Sequence, residues 1–422
     1  MNRGSPHRRA ALVAAAALVA ALAVPPRARP PAPPSLRASA SFPAAPWTAG
    51  AAEAPLPVSA GAALAGYGPL RHATGVRDPP MARALALGPL AIVALDMIEI
   101  APELAAAVRA DAGGGPILVA ATHTHSGPGG TDPNVLAQAL GEGLFSRERF
   151  HAIATTAAEV VRRARAAARP ARIELASADR PDLQRERDRG GRPDPRLVVL
   201  RALDDAGRPI ATLAVLGAHP TVLPSSDRRL SADWPGAAVQ ALERRGGGVA
   251  VVLQGAGGDV SVPWDGLPPE PEARLHAFGE EVAGAVTAAL HGAAPLSPGP
   301  AGFSEAETPL PALDLTPLFG PLRGIPERLL GGLAPRRATV AAASLGSLRI
   351  LCVPGELTGA ARRAFHLPAG TVVVSLCGGD VSYIEAESQW RTRTGEPLSL
   401  FGPTLGGVAG RSADLALAAL PR

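Results

Sequence analysis

Short apolar runs that alternate with helix-like segments are the feature that most limits which folds this chain can adopt. Runs of strand length cover residues 90–97, 116–122, 197–203, 209–217, 248–255, 340–353 and 371–376. Segments with helical patterns lie between them at residues 102–111, 149–168, 235–245, 272–291 and 357–366. This alternation is typical of layered α/β proteins, in which helices cover the faces of buried strands. We predict an α/β fold, with α+β as the alternative, in which mixed β-sheets flanked by helices form one large domain.

Length and composition exclude two broad classes of protein. The chain has 422 residues and is 47% hydrophobic, which is enough apolar material for a large core and argues against disorder over most of its length. Its 41 basic and 37 acidic residues leave a net charge of only +4. Arginines are mixed with acids, as at residues 179–196, and are not concentrated with aromatic residues. We therefore expect no nucleic-acid partner.

The N-terminus has the pattern of a targeting segment. Arg3, Arg8 and Arg9 precede an unbroken apolar run of 15 residues from Ala10 to Val24. This run is shorter than the ~20 residues of a comfortable membrane span. We interpret residues 1–24 as a signal peptide or, alternatively, a membrane anchor, and residues 25–54 as a Pro-rich linker before a folded region at 55–422. The protein is then exported to the periplasm or the extracellular space, or is anchored in the membrane.

Histidines follow two of the predicted buried strands. His123 and His125 come directly after the run at 116–122, and His219 ends the run at 209–217. Strand side chains alternate between faces, so an H-x-H pair is expected to point both rings to one side. In layered α/β folds ligands bind outside the carboxyl ends of the strands. These histidines can hold a metal or an anionic substrate, or they can be buried rings with satisfied hydrogen bonds.

A Gly-rich loop follows a third buried strand. The sequence QGAGGDVS at 254–261 combines three glycines with Asp259 and Ser261. Such a loop can offer backbone N–H groups to an oxyanion, although by itself it is also compatible with a tight turn. It is neither a P-loop nor a G-x-S-x-G nucleophile motif.

Three further polar residues have two interpretations each. Glu356 lies between a predicted strand and a predicted helix, so its carboxylate can bind a metal or cap the helix. Asp233 precedes another helix, where capping is the simplest role. Tyr383 is one of two tyrosines, and such a residue is usually part of the packing. Together with the histidines and the loop, however, these groups place more polar chemistry at strand ends than packing alone predicts.

The cysteines and one long segment also leave two alternatives open. Cys352 and Cys377 form either one disulfide bridge in an oxidising compartment or two buried free thiols. The Pro- and Leu-rich segment 308–336 is either an irregular connection or a lid over an apolar site.

An ordered series of motifs resembles the catalytic N-terminal domain of the neutral, non-lysosomal ceramidases. The series extends from about residue 59 to residue 404 and includes THTHSGPGG, HPTVL with SADWPG, QGAGGDVS, VPGE and SYIEAESQW with SLFGP. The resemblance implies that residues 55–422 form a zinc-dependent hydrolase domain that cleaves the amide bond of N-acylsphingosines. A ceramide-like lipid substrate and contact with a membrane surface are the partners it implies.

The resemblance also implies roles for particular residues. It implies one zinc ion per chain, with the ligands His123, His219, Glu356 and Tyr383. His125 corresponds to a residue of the catalytic pocket, and Ser261 of the G-D-V-S motif corresponds to a nucleophile or a positioning hydroxyl. We count Asp259 of the same motif among the catalytic candidates. Arg185, with Arg180 as the alternative, corresponds to a catalytic arginine. Two other functions stay open: a zinc amidase or esterase for another N-acyl or lipid substrate, and an inactive envelope-anchored binding domain.

Overall fold

Three five-stranded sheets form the framework of the chain. The structure is a computed structural model and describes residues 31–187, 193–316, 324–392 and 399–421. The strands are β1 Ser35–Phe42, β2 Thr48–Pro55, β3 Gly75–Val76, β4 Met81–Leu87, β5 Leu90–Leu95, β6 Ile117–Ala121, β7 Arg169–Pro170, β8 Arg172–Asp179, β9 Arg185–Glu186, β10 Arg196–Leu203, β11 Pro209–Leu216, β12 Arg229–Leu230, β13 Val249–Gln254, β14 Val260–Ser261, β15 Ala294–Pro295, β16 Ala301–Pro309, β17 Arg337–Leu345, β18 Leu348–Cys352, β19 Glu356–Leu357, β20 Val372–Val374 and β21 Tyr383–Ile384.

Helices connect and cover these strands. They are α1 Pro102–Asp111, α2 Val135–Ala137, α3 Arg147–Ala166, α4 Asp233–Arg244, α5 Pro271–Leu290, α6 Gly324–Leu330, α7 Gly359–Ala364, α8 Glu387–Thr392 and α9 Leu405–Ala418. A wider helical turn, Gln138–Glu142, continues α2. None of the described helices is both long and apolar enough to cross a membrane.

The three large sheets share one pattern of strand directions. Sheet 1 has the order β7-β2-β4-β5-β6, sheet 2 the order β13-β11-β10-β8-β15, and sheet 3 the order β1-β16-β17-β18-β20. In each sheet the neighbours are antiparallel except for one parallel pair at an edge: β5–β6, β11–β13 and β18–β20. Because both strands of a parallel pair end on the same side, each sheet presents two carboxyl ends together at that edge.

The core lies between the three sheets, and helices cover their outer faces. One apolar cluster contains side chains from all three, among them Leu85 of sheet 1, Val251 of sheet 2 and Ile350 of sheet 3. Helices α1 and α3 pack on sheet 1, α4 and α5 on sheet 2, and α9 on sheet 3. The predicted α/β fold of mixed sheets flanked by helices is confirmed.

Individual elements agree with the sequence patterns in most places. Helix α1 has the predicted bounds, 102–111, because Pro102 starts it and a run of three glycines follows Ala112. The run predicted as one strand at 340–353 is instead a hairpin, β17 and β18, which turns at Gly346 with a φ of 56°. Glycine adopts this left-handed conformation without a steric penalty.

Part of the predicted Pro-rich linker is folded. Strands β1 and β2 occupy residues 35–42 and 48–55 and belong to sheets 3 and 1. Their small Ala and Ser side chains carry little apolar signal, and these strands are held by backbone pairing with β16 and β4. The folded region therefore begins before residue 55. The predicted leader, residues 1–24, lies outside the described residues.

The described parts of segment 308–336 pack against sheet 3. Leu313 and Leu315 belong to the core beside that sheet, and the Leu315 amide donates to the Glu327 carboxylate over 2.9 Å. Pro335 lines the cavity described below. Residues 317–323 of the predicted lid or connection lie outside the described residues.

Candidate metal centre and active site

Four of the residues with predicted metal roles meet where the parallel edges of the three sheets end. His123 follows β6 of sheet 1, and His219 follows β11 of sheet 2. Glu356 and Tyr383 follow β18 and β20 of sheet 3, and they pair with each other through the short parallel strands β19 and β21. Each of the three sheets therefore contributes to one centre.

The four side chains are close enough to share a single ion. The Oε2 atom of Glu356 lies 2.9 Å from Nε2 of His219 and 3.3 Å from Nε2 of His123. The Tyr383 hydroxyl lies 3.3 Å from the same His219 nitrogen. Nitrogen atoms of His123, His125 and His219 lie within 4.8 Å of one another, which is close enough to hold a metal ion.

Backbone carbonyls fix which nitrogen of each ring faces the centre. Nδ1 of His123 donates to the carbonyl of Ile98 over 2.7 Å. Nδ1 of His219 donates to the carbonyls of Gly257 and Val260, each over 3.0 Å. Because a carbonyl can only accept, both neutral rings carry their proton on Nδ1 and present the Nε2 lone pair to the centre. Metal-binding histidines are commonly oriented in this way by their second nitrogen.

This arrangement fits a divalent cation. Two Nε2 lone pairs face one carboxylate oxygen at contact distance, so a positive charge between them is needed to offset their repulsion. His123 Nε2 and Glu356 Oε2 are buried and have no hydrogen-bond partner among the described residues. Two imidazoles with a carboxylate are a common ligand set for catalytic zinc.

His123 reaches the centre by a different route from the one predicted. Strand β6 ends at Ala121, so the alternation of strand side chains does not place the H-x-H pair. His123 has a φ of 70°, a left-handed conformation that a residue with a side chain seldom adopts. Strain of this kind is often retained at functional sites. The ring still lies against that of His125, with 4.9 Å between centroids.

His125 lies beside the centre with its side chain partly buried. Its ring packs 5.2 Å from the ring of Tyr67, and neither ring nitrogen has a hydrogen-bond partner among the described residues. Burial, followed by the neighbouring His123 and His219, lowers the pKa of His125 well below its usual range. The ring is therefore neutral near pH 7, with both nitrogens available to a substrate.

Arg187, not Arg185, contacts the centre. Nη1 of Arg187 lies 3.0 Å from Nε2 of His219, and its positive charge acts on Tyr383. Arg185 pairs with Ser261 through the backbone, and its exposed side chain forms no hydrogen bond or ion pair with the metal-centre residues within the described chain. Arg180 forms a surface ion pair with Asp182. The sequence motif therefore located the correct segment but not the arginine in contact.

Ser261 and Asp259 occupy different environments. Ser261, in β14, is paired with His219 through an isolated parallel backbone bridge, which brings the two residues side by side. The Asp259 carboxylate accepts the Gly359 amide over 2.9 Å and the Gln389 side-chain amide over 3.2 Å. These bonds hold the start of α7, three residues after Glu356. Asp259 is placed to support the Glu356 loop, while the helix itself is capped by Thr358.

Asp233 lies at the start of α4, as predicted, where its carboxylate accepts the Trp234 amide of the first turn over 2.7 Å. Its buried carboxylate accepts the amides of Val222 at 3.3 Å and Leu223 at 3.0 Å, in the loop that follows His219. A φ of 55° at Asp233 turns the carboxylate back towards this loop. The residue therefore fixes the path of the chain after a metal-centre histidine.

A family comparison agrees with this geometry. Residues 97–297 match the model for the N-terminal part of the neutral/alkaline non-lysosomal ceramidases. The match covers just under half of the chain, so the chain resembles these ceramidases over that segment. The matched segment includes His123, His125, His219 and Ser261, and it ends before Glu356 and Tyr383. No curated protein sequence matches the chain.

Solved ceramidase structures share the fold. The neutral ceramidase from Pseudomonas aeruginosa aligns with a TM-score of 0.74 and 20% sequence identity, over 88% of this chain and 74% of the other. A ceramidase complexed with C2 aligns equally well, with a TM-score of 0.74 and 21% identity, over 88% of this chain and 75% of the other. At such low identity these alignments establish the likeness of the fold.

A cavity of about 520 Å³ opens beside the candidate metal centre. His123, His125, Glu356 and Tyr383 line one part of it. Apolar side chains line another part, namely those of Ile98, Leu136, Leu140, Val381, Leu400 and Phe401. Carboxylates line a third part, and the sequence patterns did not reveal them because they come from separate loops. A cavity of this size and mixed polarity is suitable for a small amphiphile.

A disulfide and one buried amide support the centre from behind. Cys352 and Cys377 are bridged, with 5.2 Å between their Cα atoms, so the disulfide alternative is confirmed. The bridge joins the segments that carry Glu356 and Tyr383. Gln254, which the sequence analysis did not single out, accepts the Ala218 amide with Oε1 and donates through Nε2 to the Thr122 carbonyl. It thereby ties the residue before His219 to the residue before His123.

Proposed function

We propose that this protein is a zinc-dependent amidohydrolase that cleaves the N-acyl amide of ceramide-like lipids to a fatty acid and a sphingoid base. The observation that carries this proposal is the buried pair of Nε2 lone pairs facing Glu356. The ceramidase family match and the adjoining cavity support an amide-bond hydrolase with a lipid substrate.

We assign one zinc ion per chain to His123, His219, Glu356 and Tyr383. When bound there, zinc supplies a Lewis acid that polarises a carbonyl and makes water more acidic. The protein contributes the fixed orientation of its ligands. The carbonyls of Ile98, Gly257 and Val260 hold the two imidazoles in place before a substrate arrives.

The remaining groups at the centre have complementary roles. We assign Ser261 as the nucleophile or as the hydroxyl that positions the substrate, beside His219. Neutral His125 can accept a proton at a ring nitrogen and return it to the leaving amine. The guanidinium of Arg187 is placed to stabilise negative charge that develops on the amide oxygen. Asp259 holds the Glu356 loop and does not react itself.

Two rival functions differ from this proposal in measurable ways. An amidase or esterase for another N-acyl lipid would use the same centre with a different substrate. An inactive binding domain would have no reason to keep oriented imidazoles, a carboxylate and a serine together.

Metal content and lipid hydrolysis test the proposal together. Protein purified without chelator should contain one zinc per chain and release fatty acid from ceramide, and a chelator should stop the release. Far less than one zinc per chain would refute the metalloenzyme. One zinc per chain together with acyl release only from other N-acyl lipids would refute only the assignment of ceramide as the substrate.

His123→Ala is the matching variant for this test. Removing one of the imidazoles should abolish zinc binding and hydrolysis together, because the other ligands cannot complete the site. His151→Ala, on an exposed face of α3, is the control and should keep both. A His123→Ala protein that stays active would overturn the ligand assignment.

We further propose that residues 1–24 export the protein or anchor it in the membrane, so that it meets lipids at a membrane surface. The Cys352–Cys377 bridge supports an oxidising compartment, since such bridges seldom persist in the cytosol. Fractionation of the source cells tests this localisation. Recovery of the mature protein in the cytosolic fraction would refute it.

A further inference from the structure

Six acidic side chains besides Glu356 line the cavity beside the candidate metal centre, together with Arg37 and Arg337, and four of the six act on one another through their charges. Glu99 comes from the loop after β5, Asp132 from the loop after the H-x-H pair, Glu142 from the helical turn after α2, and Asp380 from the loop after β20. We call these four residues the carboxylate wall. They are separate from the proposed zinc ligands, and the reaction described above does not use them.

Two oxygen atoms of the wall are buried without a donor. The Glu142 side chain accepts the Thr131 amide and hydroxyl with Oε1, at 3.2 and 2.9 Å. Its Oε2 has no hydrogen-bond partner among the described residues, although Glu142 is only 3% exposed. The Oε1 atom of Glu99 is also buried without a hydrogen-bond partner among the described residues. An unpaired buried acceptor costs about 1–3 kcal/mol, so both oxygens would gain from a donor that enters the cavity.

The wall has little positive charge to balance it. Within the described residues, no ion pair joins any of its four carboxylates to an arginine. Arg337, which also lines the cavity, pairs with Glu307 over 2.9 Å. Arg149 acts on Glu142 through its charge but donates to the Gly129 carbonyl.

The protonation of the wall is consistent with an unmet need for positive charge. Burial, opposed by the Thr131 hydrogen bonds and reinforced by Asp132 and Asp380, raises the pKa of Glu142 to about 8. Burial also raises the pKa of Asp132 to about 6. Carboxyls that hold protons near neutral pH will exchange them for a bound cation.

The neighbouring surface determines what kind of cation fits. Leu136 and Leu140 lie in the sequence between Asp132 and Glu142, and both line the same cavity as the carboxylate wall. Leu400 and Phe401 add to this apolar lining. A ligand that satisfies both surfaces has an ammonium group, which supplies N–H donors and charge, attached to an alkyl chain.

We propose that the carboxylate wall binds an ammonium group on the amine half of the substrate, so that cationic N-acyl amphiphiles are preferred over neutral ones with the same acyl chain. The preference in turnover rests on the proposed hydrolase function. The preference in binding does not, because the wall is present whether or not the centre is active.

Binding of simple amphiphiles tests the wall directly. Dodecylammonium and dodecanol have the same chain and differ in charge, and their dissociation constants can be measured by calorimetry below the concentration at which they aggregate. We expect the ammonium to bind about tenfold more tightly, as for a hydrogen bond between charged groups. Equal affinities for the native protein would overturn the proposal.

Isosteric variants locate the effect. Asp132→Asn with Glu142→Gln should weaken dodecylammonium by about tenfold and leave dodecanol unchanged. Glu159→Gln, an exposed acid on α3, is the control and should behave as the native protein. Equal weakening of dodecylammonium and dodecanol in the double variant would show loss of the pocket and not loss of charge recognition, and would count against the proposal. Displacement of dodecylammonium by calcium but not by a second ammonium ligand would also count against it.

Turnover provides the second readout. N-dodecanoylethylenediamine and N-dodecanoylethanolamine present an ammonium and a hydroxyl on otherwise similar amides. The ratio of their kcat/KM values should favour the cation and should fall towards one in the double variant. If neither is hydrolysed, the proposed reaction fails, and the binding comparison still decides whether the wall recognises an ammonium.

Discussion

The disulfide offers the sharpest test of how the centre is held together. Cys352 ends β18 and Cys377 follows β20, at a sequence separation of 25. Only three residue pairs join β18 to β20, and beyond them Glu356 and Tyr383 pair on the short strands β19 and β21. The perturbation is Cys352→Ala with Cys377→Ala, which removes the covalent link between the two segments.

The expected loss follows from the length of the closed loop. A bridge across 25 residues reduces the entropy of the unfolded chain by an amount worth about 3.5 kcal/mol at 25 °C in the chain-entropy model. Both sulfur atoms are fully buried, so their deletion adds a smaller packing cost. We expect the free energy of unfolding to fall by about 3–5 kcal/mol.

Equilibrium unfolding in urea measures this loss. The midpoint should fall, and the slope should rise somewhat, because the denatured chain without the link is less compact and exposes more surface. The native chain after reduction is the matched control, since it loses the link but keeps both sulfur atoms. Zinc affinity should fall in both samples, because Glu356 and Tyr383 are less firmly held. A loss of less than about 1 kcal/mol, with unchanged zinc affinity, would refute the idea that the bridge braces these two residues.

Three further predictions test single residues. Arg187→Ala should lower kcat by about 100-fold or more with little change in KM, whereas Arg185→Ala should change kcat by less than about twofold. A larger loss of kcat in Arg185→Ala than in Arg187→Ala would restore the assignment of Arg185 from the sequence motif. Gln254→Leu should cost about 1–3 kcal/mol in urea unfolding and weaken zinc binding, because the Ala218 amide and Thr122 carbonyl lose their partner; unchanged stability would contradict this. Folding raises the pKa of Glu142 from 4.5 to about 8, so between these pH values the folded state holds a proton that the unfolded chain releases. The free energy of unfolding should therefore fall by up to about 5 kcal/mol as the pH rises from 4.5 to 8. Glu142→Gln should remove this fall and be more stable than the native protein at pH 8, as urea midpoints across this range will show.

The histidines and Glu356 of the candidate metal centre were marked in the sequence because each follows a buried run, whereas the role of Tyr383 came only from the family resemblance. His219 ends a strand of eight mostly buried residues, and Glu356 comes four residues after another buried strand. An apolar run of this kind ends at a polar side chain, because burying that side chain would require a bonding partner. The polar residue therefore indicates where the strand ends. Local pattern and local chemistry coincide at these positions.

Other features depend on pairings that are distant in the sequence. Arg185 and Arg187 lie two residues apart, and the pairing of β9 with β14 decides how this segment passes the centre. β1 has small, exposed side chains, and only its pairing with β16 makes it a strand. The members of the carboxylate wall extend from Glu99 to Asp380, with no periodicity to connect them. No local signal could have revealed these features.

The common pattern of the three sheets explains why distant residues meet. Each sheet ends in one parallel pair, and the segments that follow these pairs carry His123 from sheet 1, His219 from sheet 2, and Glu356 with Tyr383 from sheet 3. Sheet 1 carries His123 and His125, but no single sheet carries both proposed imidazole ligands, His123 and His219, so a folding intermediate with one or two sheets formed lacks the complete proposed ligand set. Metal binding therefore favours only the state in which all three sheets are packed together, and by mass action it stabilises that state as a whole. The shared apolar core and the metal centre are in this sense two consequences of the same three-sheet packing.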